Sequence, residues 1–212
     1  MSTTKRNTRT VRGRDAEQRR AQRHADLRAA ALDLFADQGY YGTSIEEICQ
    51  RAYVGTKGFY ELFENKEACY LDLFRHVTAN LFEQVRAGLE TMAADRFALP
   101  DLIATFTRGL VSDVRVLKVA FGEAAAISTA VERERRKNRR NAAILVEAAW
   151  QRAGVELDEH RTRTVTIGLI GGLFDILADW LHEQEPDDPE DIEELTSCMI
   201  GFHDTVLRGL TG

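Results

Sequence analysis

Apolar residues recur along this chain at three- and four-residue steps, with no sustained stretch of strict alternation. The pattern predicts an all-α fold, and only three prolines interrupt its 212 residues. Leu27, Ala30, Ala31, Leu34 and Phe35 form one stripe, predicting a helix over 16–38 that Gly39 closes. Ile45, Ile48, Cys49 and Ala52 predict a short second helix, and Phe59 and Phe63 share the inner face of the element after it. Leu71, Phe74, Val77, Leu81, Val85 and Leu89 then run down a long helix over 66–93.

Beyond residue 96 the same periodicity predicts helices over 102–118, 122–152, 159–185 and 188–210, the last two split by Pro186 and Pro189. The organisation expected is a basic flexible arm at 1–15, a small head at 16–66 and a larger body at 67–212. The two C-terminal helices are apolar over more surface than one core contact requires. They also carry glycines mid-helix, where each costs about 1 kcal/mol relative to alanine. Close approach of another helix explains that cost, and the two helices are expected to form a four-helix interface with a second copy. Its expected members are Gly168, Gly171, Leu173, Trp180, Leu195, Met199 and Phe202.

The segment 43–66, TSIEEICQRAYVGTKGFYELFENK, carries the most specific chemistry. Thr43 and Ser44 each precede a glutamate by three residues, so either can close a capping box on a helix. Val54 points inward and Gly55 lets the chain turn into the next helix. Two short helices joined by a tight turn, behind a basic N-terminus, place the second helix in a DNA major groove. Thr56, Lys57, Gly58 and Tyr60 fall on its outer face. Lysine donates to guanine or phosphate, and threonine bonds a base and meets a thymine methyl. Glycine permits close backbone approach, and tyrosine reaches phosphate. Asn65 caps a further helix whose first residue, Lys66, is a candidate phosphate clamp. The expected DNA contacts are therefore Thr43, Thr56, Lys57, Gly58, Tyr60 and Lys66, with Arg19, Arg20 and Arg23 near the backbone.

Phe35, Gly39-Tyr40, Thr43-Ser44-Ile45, Ile48, Ala52, Val54, Phe59-Tyr60, Phe63 and Lys66-Glu67 together resemble the TetR family of transcriptional regulators. The resemblance covers the N-terminal third. It departs from the family at Tyr53, where the turn usually holds glycine, and at Gly55, where serine is more usual. It implies a homodimer that binds a palindromic operator, a C-terminal domain that binds a small effector, and repression as the usual mode.

Charge changes the picture in one respect. The net charge of −6 alone argues against nucleic acid, but residues 1–28 hold nine basic and three acidic side chains. A basic end on an acidic remainder fits a DNA-facing edge. Cys49, Cys69 and Cys198 are scattered and odd in number, as reduced thiols of a cytoplasmic protein are. No signal peptide and no apolar run of membrane-spanning length is expected. There is no GxSxG, Walker A, HExxH or dinucleotide fingerprint, and the five histidines lack ligand spacing, so neither enzyme, cofactor nor metal is expected.

Candidate walls of an effector pocket are Phe82, Phe106, Phe121, Trp150 and Phe174, with Met92 beside them. Asp113, Glu123 and Asp175 are candidate partners for a cationic or hydroxylated ligand. The basic run Arg133, Arg135, Arg136, Lys137, Arg139 and Arg140 reads as a solvated face with partners such as Glu132, or as an anion or acidic-partner site. An alternative function is a DNA-binding regulator without a small ligand, or one controlled by a protein partner.

Overall fold

The structure is a computed structural model describing residues 8–91, 99–122, 127–155, 158–183 and 189–211. Among the described residues there are nine helices and no strand. In chain order they are α1 (Thr8–Gly42), α2 (Ile45–Arg51), α3 (Thr56–Tyr60), α4 (Lys66–Thr91), α5 (Leu99–Val111), α6 (Val114–Phe121), α7 (Thr129–Arg152), α8 (Glu159–Glu183) and α9 (Pro189–Thr211). The chain divides into two compact units, Met1–Leu73 and Phe74–Gly212.

The head is a small aromatic-rich core. Leu27, Ala31, Ile48, Phe59 and Leu73 are almost wholly buried. The Phe59 and Phe63 rings lie 5.3 Å apart, and Tyr70 meets Phe35 edge-on at 5.2 Å. Cys69, Tyr70 and Leu73 of α4 are committed to this core, so the unit boundary falls inside α4 rather than after residue 66. Burial pushes the Cys69 thiol up to about 12, which keeps it protonated and inert.

One expectation for the head changes and one holds. Within the stretch 1–15, read as a flexible arm, α1 runs from Thr8 onward; Gly13 weakens that turn but no proline interrupts it. Gly39 breaks the helix where expected, at φ 72°, a left-handed value glycine adopts without penalty, and a further short helical stretch follows it to Gly42.

In the body, α7 packs on α8, α5 on α9, and α8 on both α6 and α9. Leu110, Leu117, Trp150, Leu169, Leu177, Leu195 and Met199 form its buried centre. The expected helix 102–118 is two helices, because Asp113 leaves the helical conformation and its side chain accepts from the Arg115 amide as the cap of α6. Likewise α7 starts late, where Ser128 accepts from Val131 N–H.

The C-terminal helices require a larger correction. Leu173, Trp180, Leu195 and Met199, expected at an interface between copies, are buried in the body's own core. Phe202 also packs within the chain, since a Cβ on Gly172 would stand 2.6 Å from its ring. Gly168 and Gly171 do face open space. Periodicity identifies an apolar face but not which molecule covers it. The span His160–His182 of α8 also has a mean hydropathy of 1.5 and is long and apolar enough to cross a membrane, against expectation, with one third of it buried inside the chain.

Candidate nucleic-acid interface and effector cavity

The turn between α2 and α3 is built by local chemistry. Ser44 caps α2: its hydroxyl accepts from Glu47 N–H, and the Glu47 carboxylate accepts from Ser44 N–H at 2.8 Å, a complete capping box. These hydrogen bonds from Ser44 hold the Glu47 carboxyl below the ordinary carboxylate range. Val54 N–H then donates to Cys49 O, and α3 begins after Gly55.

The structure separates the six expected DNA contacts into two groups. Thr56, Lys57 and Tyr60 are exposed along α3. Thr43, Gly58 and Lys66 are turned to other work. Thr43 is 2% exposed and its hydroxyl donates to Gly39 O, bracing the α1 kink. A Cβ at Gly58 would lie 2.9 Å from Val54 Cγ1, so glycine there serves the packing of α3 on the turn, not approach to a duplex. Lys66 Nζ donates to Tyr40 O at 2.8 Å and Thr43 O at 2.7 Å, and lies 4.4 Å from the Tyr40 ring centroid. A lysine so engaged staples α4 to the end of α1; it is not free to clamp a phosphate. Of the arginines, Arg19 and Arg20 are exposed, and Arg23 pairs with Glu61 at 3.2 Å.

Sequence reasoning missed two exposed aromatics. Tyr41 is 68% exposed and Tyr53 is 97% exposed. Tyr53 also holds φ 53°, a region that costs a non-glycine residue about 1–2 kcal/mol. The signal was the departure from glycine at this turn. Strain at a fully exposed side chain suggests a role outside the fold.

The body holds a partly open cavity of about 110 Å³. Phe82, Phe106, Phe121 and Phe174 meet around it, with Phe121 and Phe174 edge-to-face at 4.8 Å. Trp150 does not line it. The indole is buried behind the wall and donates to His203 Nε2 at 3.0 Å. An indole N–H only donates, so His203 Nε2 accepts and its proton sits on Nδ1, facing Asp204 Oδ1 at 3.0 Å. Both nitrogens of this wall residue are thereby occupied. Thr78, also on the wall, directs its one proton to Phe74 O.

The two described acidic candidates, Asp113 and Asp175, do not line the cavity. Asp113 accepts from Arg115 and caps α6, Asp175 is exposed, and Glu123 and Met92 lie outside the described residues. The basic run divides instead. Arg136 pairs with Glu132 and Lys137 with Glu134, as a solvated face does. Arg135 and Arg139 turn to the cavity together with Asn138. Asn138 is 8% exposed, and its Nδ2 has no hydrogen-bond partner among the described residues. An orphaned buried amide donor costs about 1–3 kcal/mol.

The head matches a known sequence pattern: residues 27–73 fit "Bacterial regulatory proteins, tetR family". The HTH-type transcriptional activator FasR of Mycolicibacterium smegmatis is 26% identical, over 84% of this chain and 80% of that protein. The fatty acid degradation regulator FadR from Bacillus halodurans superposes with a TM-score of 0.70 at 20% identity, covering 89% of this chain and 96% of that one. FadR from Bacillus subtilis, solved in complex with stearoyl-CoA, gives 0.66 at 19%, covering 88% and 96%. A helix-turn-helix head and an all-helical body define a DNA-binding transcriptional regulator rather than an enzyme. Over residues 27–73 the chain carries the DNA-binding pattern of the TetR family of transcriptional regulators.

Proposed function

We propose that this regulator binds a near-palindromic operator as a homodimer and is released from it by an apolar small molecule held in the body cavity. The cavity carries the reading. Five phenylalanines line it, and its charged groups, Arg135 and Arg139, lie together on one helix, α7, as ligand sites are made. The stearoyl-CoA bound by the Bacillus subtilis relative supports a long acyl compound as effector. A cavity of about 110 Å³ is smaller than the 150 Å³ or so that holds benzene, so a long chain must spread the helices around it. One of those helices is α4, which continues into the head. Ligand and operator then favour different conformations, and each weakens the other by the same factor.

Thr56, Lys57 and Tyr60 read the operator, with Tyr53 and Tyr41 directed to the phosphate backbone. The second copy sits against Ile167, Gly168 and Gly171, on the outward face of an apolar helix that the chain itself leaves mostly uncovered. The protein acts in the cytoplasm. It represses where the operator overlaps a promoter; the same loss of binding from an upstream site would make an activator, the role FasR is named for.

Selection of bound sites from random duplex DNA tests this reading, followed by titration of stearoyl-CoA onto the selected site. A palindrome that is released by the ligand supports it. A non-palindromic site, or a palindrome indifferent to the ligand, rejects the dimer or the effector respectively.

A further inference from the structure

The cavity is one-sided in its chemistry. Among the described residues, those lining it include no aspartate or glutamate, and the protons of Thr78 and His203 are already directed elsewhere. On α7 the wall carries the stripe Arg135, Asn138 and Arg139, continued on the same helix face by Ala142, Val146 and Ala149. These positions fall at three- and four-residue steps, so one end of the stripe offers positive charge and an unmet amide donor and the other only hydrocarbon. Asn138 is the sharpest element, a buried amide donor with no acceptor among the described residues.

We propose that Arg135, Asn138 and Arg139 are the head-group reader of this cavity, and that its ligand is an anionic single-chain amphiphile. An acceptor oxygen of the ligand takes the Asn138 Nδ2–H, its negative charge faces the two guanidiniums, and its tail lies along the apolar half of α7. The requirement is for an acceptor next to an anion, which both a free carboxylate and a phosphate-bearing acyl thioester provide. Cationic and neutral amphiphiles of the same chain length are rejected, because neither answers both the amide and the charge. This inference rests on the cavity being the effector site. It adds which ligand chemistry is chosen and by which residues.

The test is calorimetric titration of the full-length protein with an octadecyl series below micellar concentration: stearate, stearoyl-CoA, octadecan-1-ol and octadecyltrimethylammonium. Stearate, stearoyl-CoA or both should bind at least tenfold more tightly than the alcohol and the cation. Preference for stearate identifies the carboxylate as the group read; preference for stearoyl-CoA identifies the thioester with its phosphates. Asn138→Leu, close in volume, should erase most of that discrimination. Arg135→Gln combined with Arg139→Gln should lower affinity for the anions alone. Equal binding across the series, absence of binding by any member, or an Asn138→Leu protein that still discriminates tenfold would overturn the assignment. Operator binding is followed separately. A ligand bound with head-group selectivity that leaves DNA affinity unchanged sinks the effector reading and leaves the head-group reader standing.

Discussion

The head and the body use their buried polar groups in opposite ways. In the head, Thr43 and Lys66 are closed onto backbone carbonyls, and the turn hangs from a capping box and a short hydrogen-bond ladder. In the body, Asn138 is buried on a cavity wall with an open donor. Each suits its task. A recognition helix must be held rigidly to meet base edges, so its support is satisfied internally. A sensor must be more stable with something bound than without it, and an unmet donor beside a cavity supplies that difference.

The sharpest way to break this comparison is Lys66→Met. If the lysine is a staple, losing two charge-assisted hydrogen bonds and the contact with Tyr40 costs about 2–4 kcal/mol of head stability. Thermal unfolding followed by circular dichroism should show an early transition. A clamp on phosphate predicts the reverse, an unchanged melt with weakened DNA binding and a smaller salt slope. Lys57→Ala should behave as that second case. It is exposed on α3, and its loss should cost about 1–3 kcal/mol on the selected operator with no change in melting. A loss equal on all sequences would reassign Lys57 from a base to the phosphate backbone.

The same contrast explains what was legible in the sequence. The head's elements are set by contacts a few residues apart, Ser44 with Glu47 and Phe59 with Phe63, and such pairs can be read from spacing. The roles of Gly58 and Lys66 were not legible, because they depend on Val54's methyl and on carbonyls at Tyr40 and Thr43 brought close by the fold. In the body, the aromatic residues that meet at the cavity stood out by type, while Trp150 was displaced by its bond to His203 across 53 positions. Leu195 and Met199 have the apolar character of an interface and of a core alike, and only packing separates the two. The break at Asp113 was hidden because Val111 and Val114 keep the apolar pattern running past it.

A smaller effect sharpens the body's side of the comparison. Glu134 on α7 accepts from Arg75 of α4 and from Lys137, each at 3.0 Å. Burial alone would push its carboxyl up, but the hydrogen bonds from Lys137 and Arg75, with their charges, outweigh burial and hold it below the ordinary 4.5. The folded state therefore binds this proton less readily than the unfolded chain. The contribution is fully present above pH 4.5 and is lost as pH falls through the depressed folded value. Glu134→Gln should cost about 1–2 kcal/mol at neutral pH, and less as the pH drops below 4.5, where wild type and variant converge. Urea midpoints at neutral pH and in the acid range measure this. A difference that stays constant across that range would mean the carboxylate's charge contributes nothing to the pair.

The smallest change has the most diagnostic sign. Tyr53 holds a left-handed backbone at φ 53° with its side chain 97% in solvent. The fold draws no packing from that ring, so Tyr53→Gly relieves strain and should stabilise the head by about 0.5–1 kcal/mol. If the hydroxyl reaches the DNA backbone, the same substitution should weaken operator binding several-fold, and Tyr53→Phe should weaken it equally without gaining stability. Stability and DNA affinity would then move in opposite directions at a single residue, as expected where strain is retained for a contact outside the protein. A glycine variant that is more stable and binds DNA as wild type does would remove Tyr53 from the interface, leaving its strained backbone without a function.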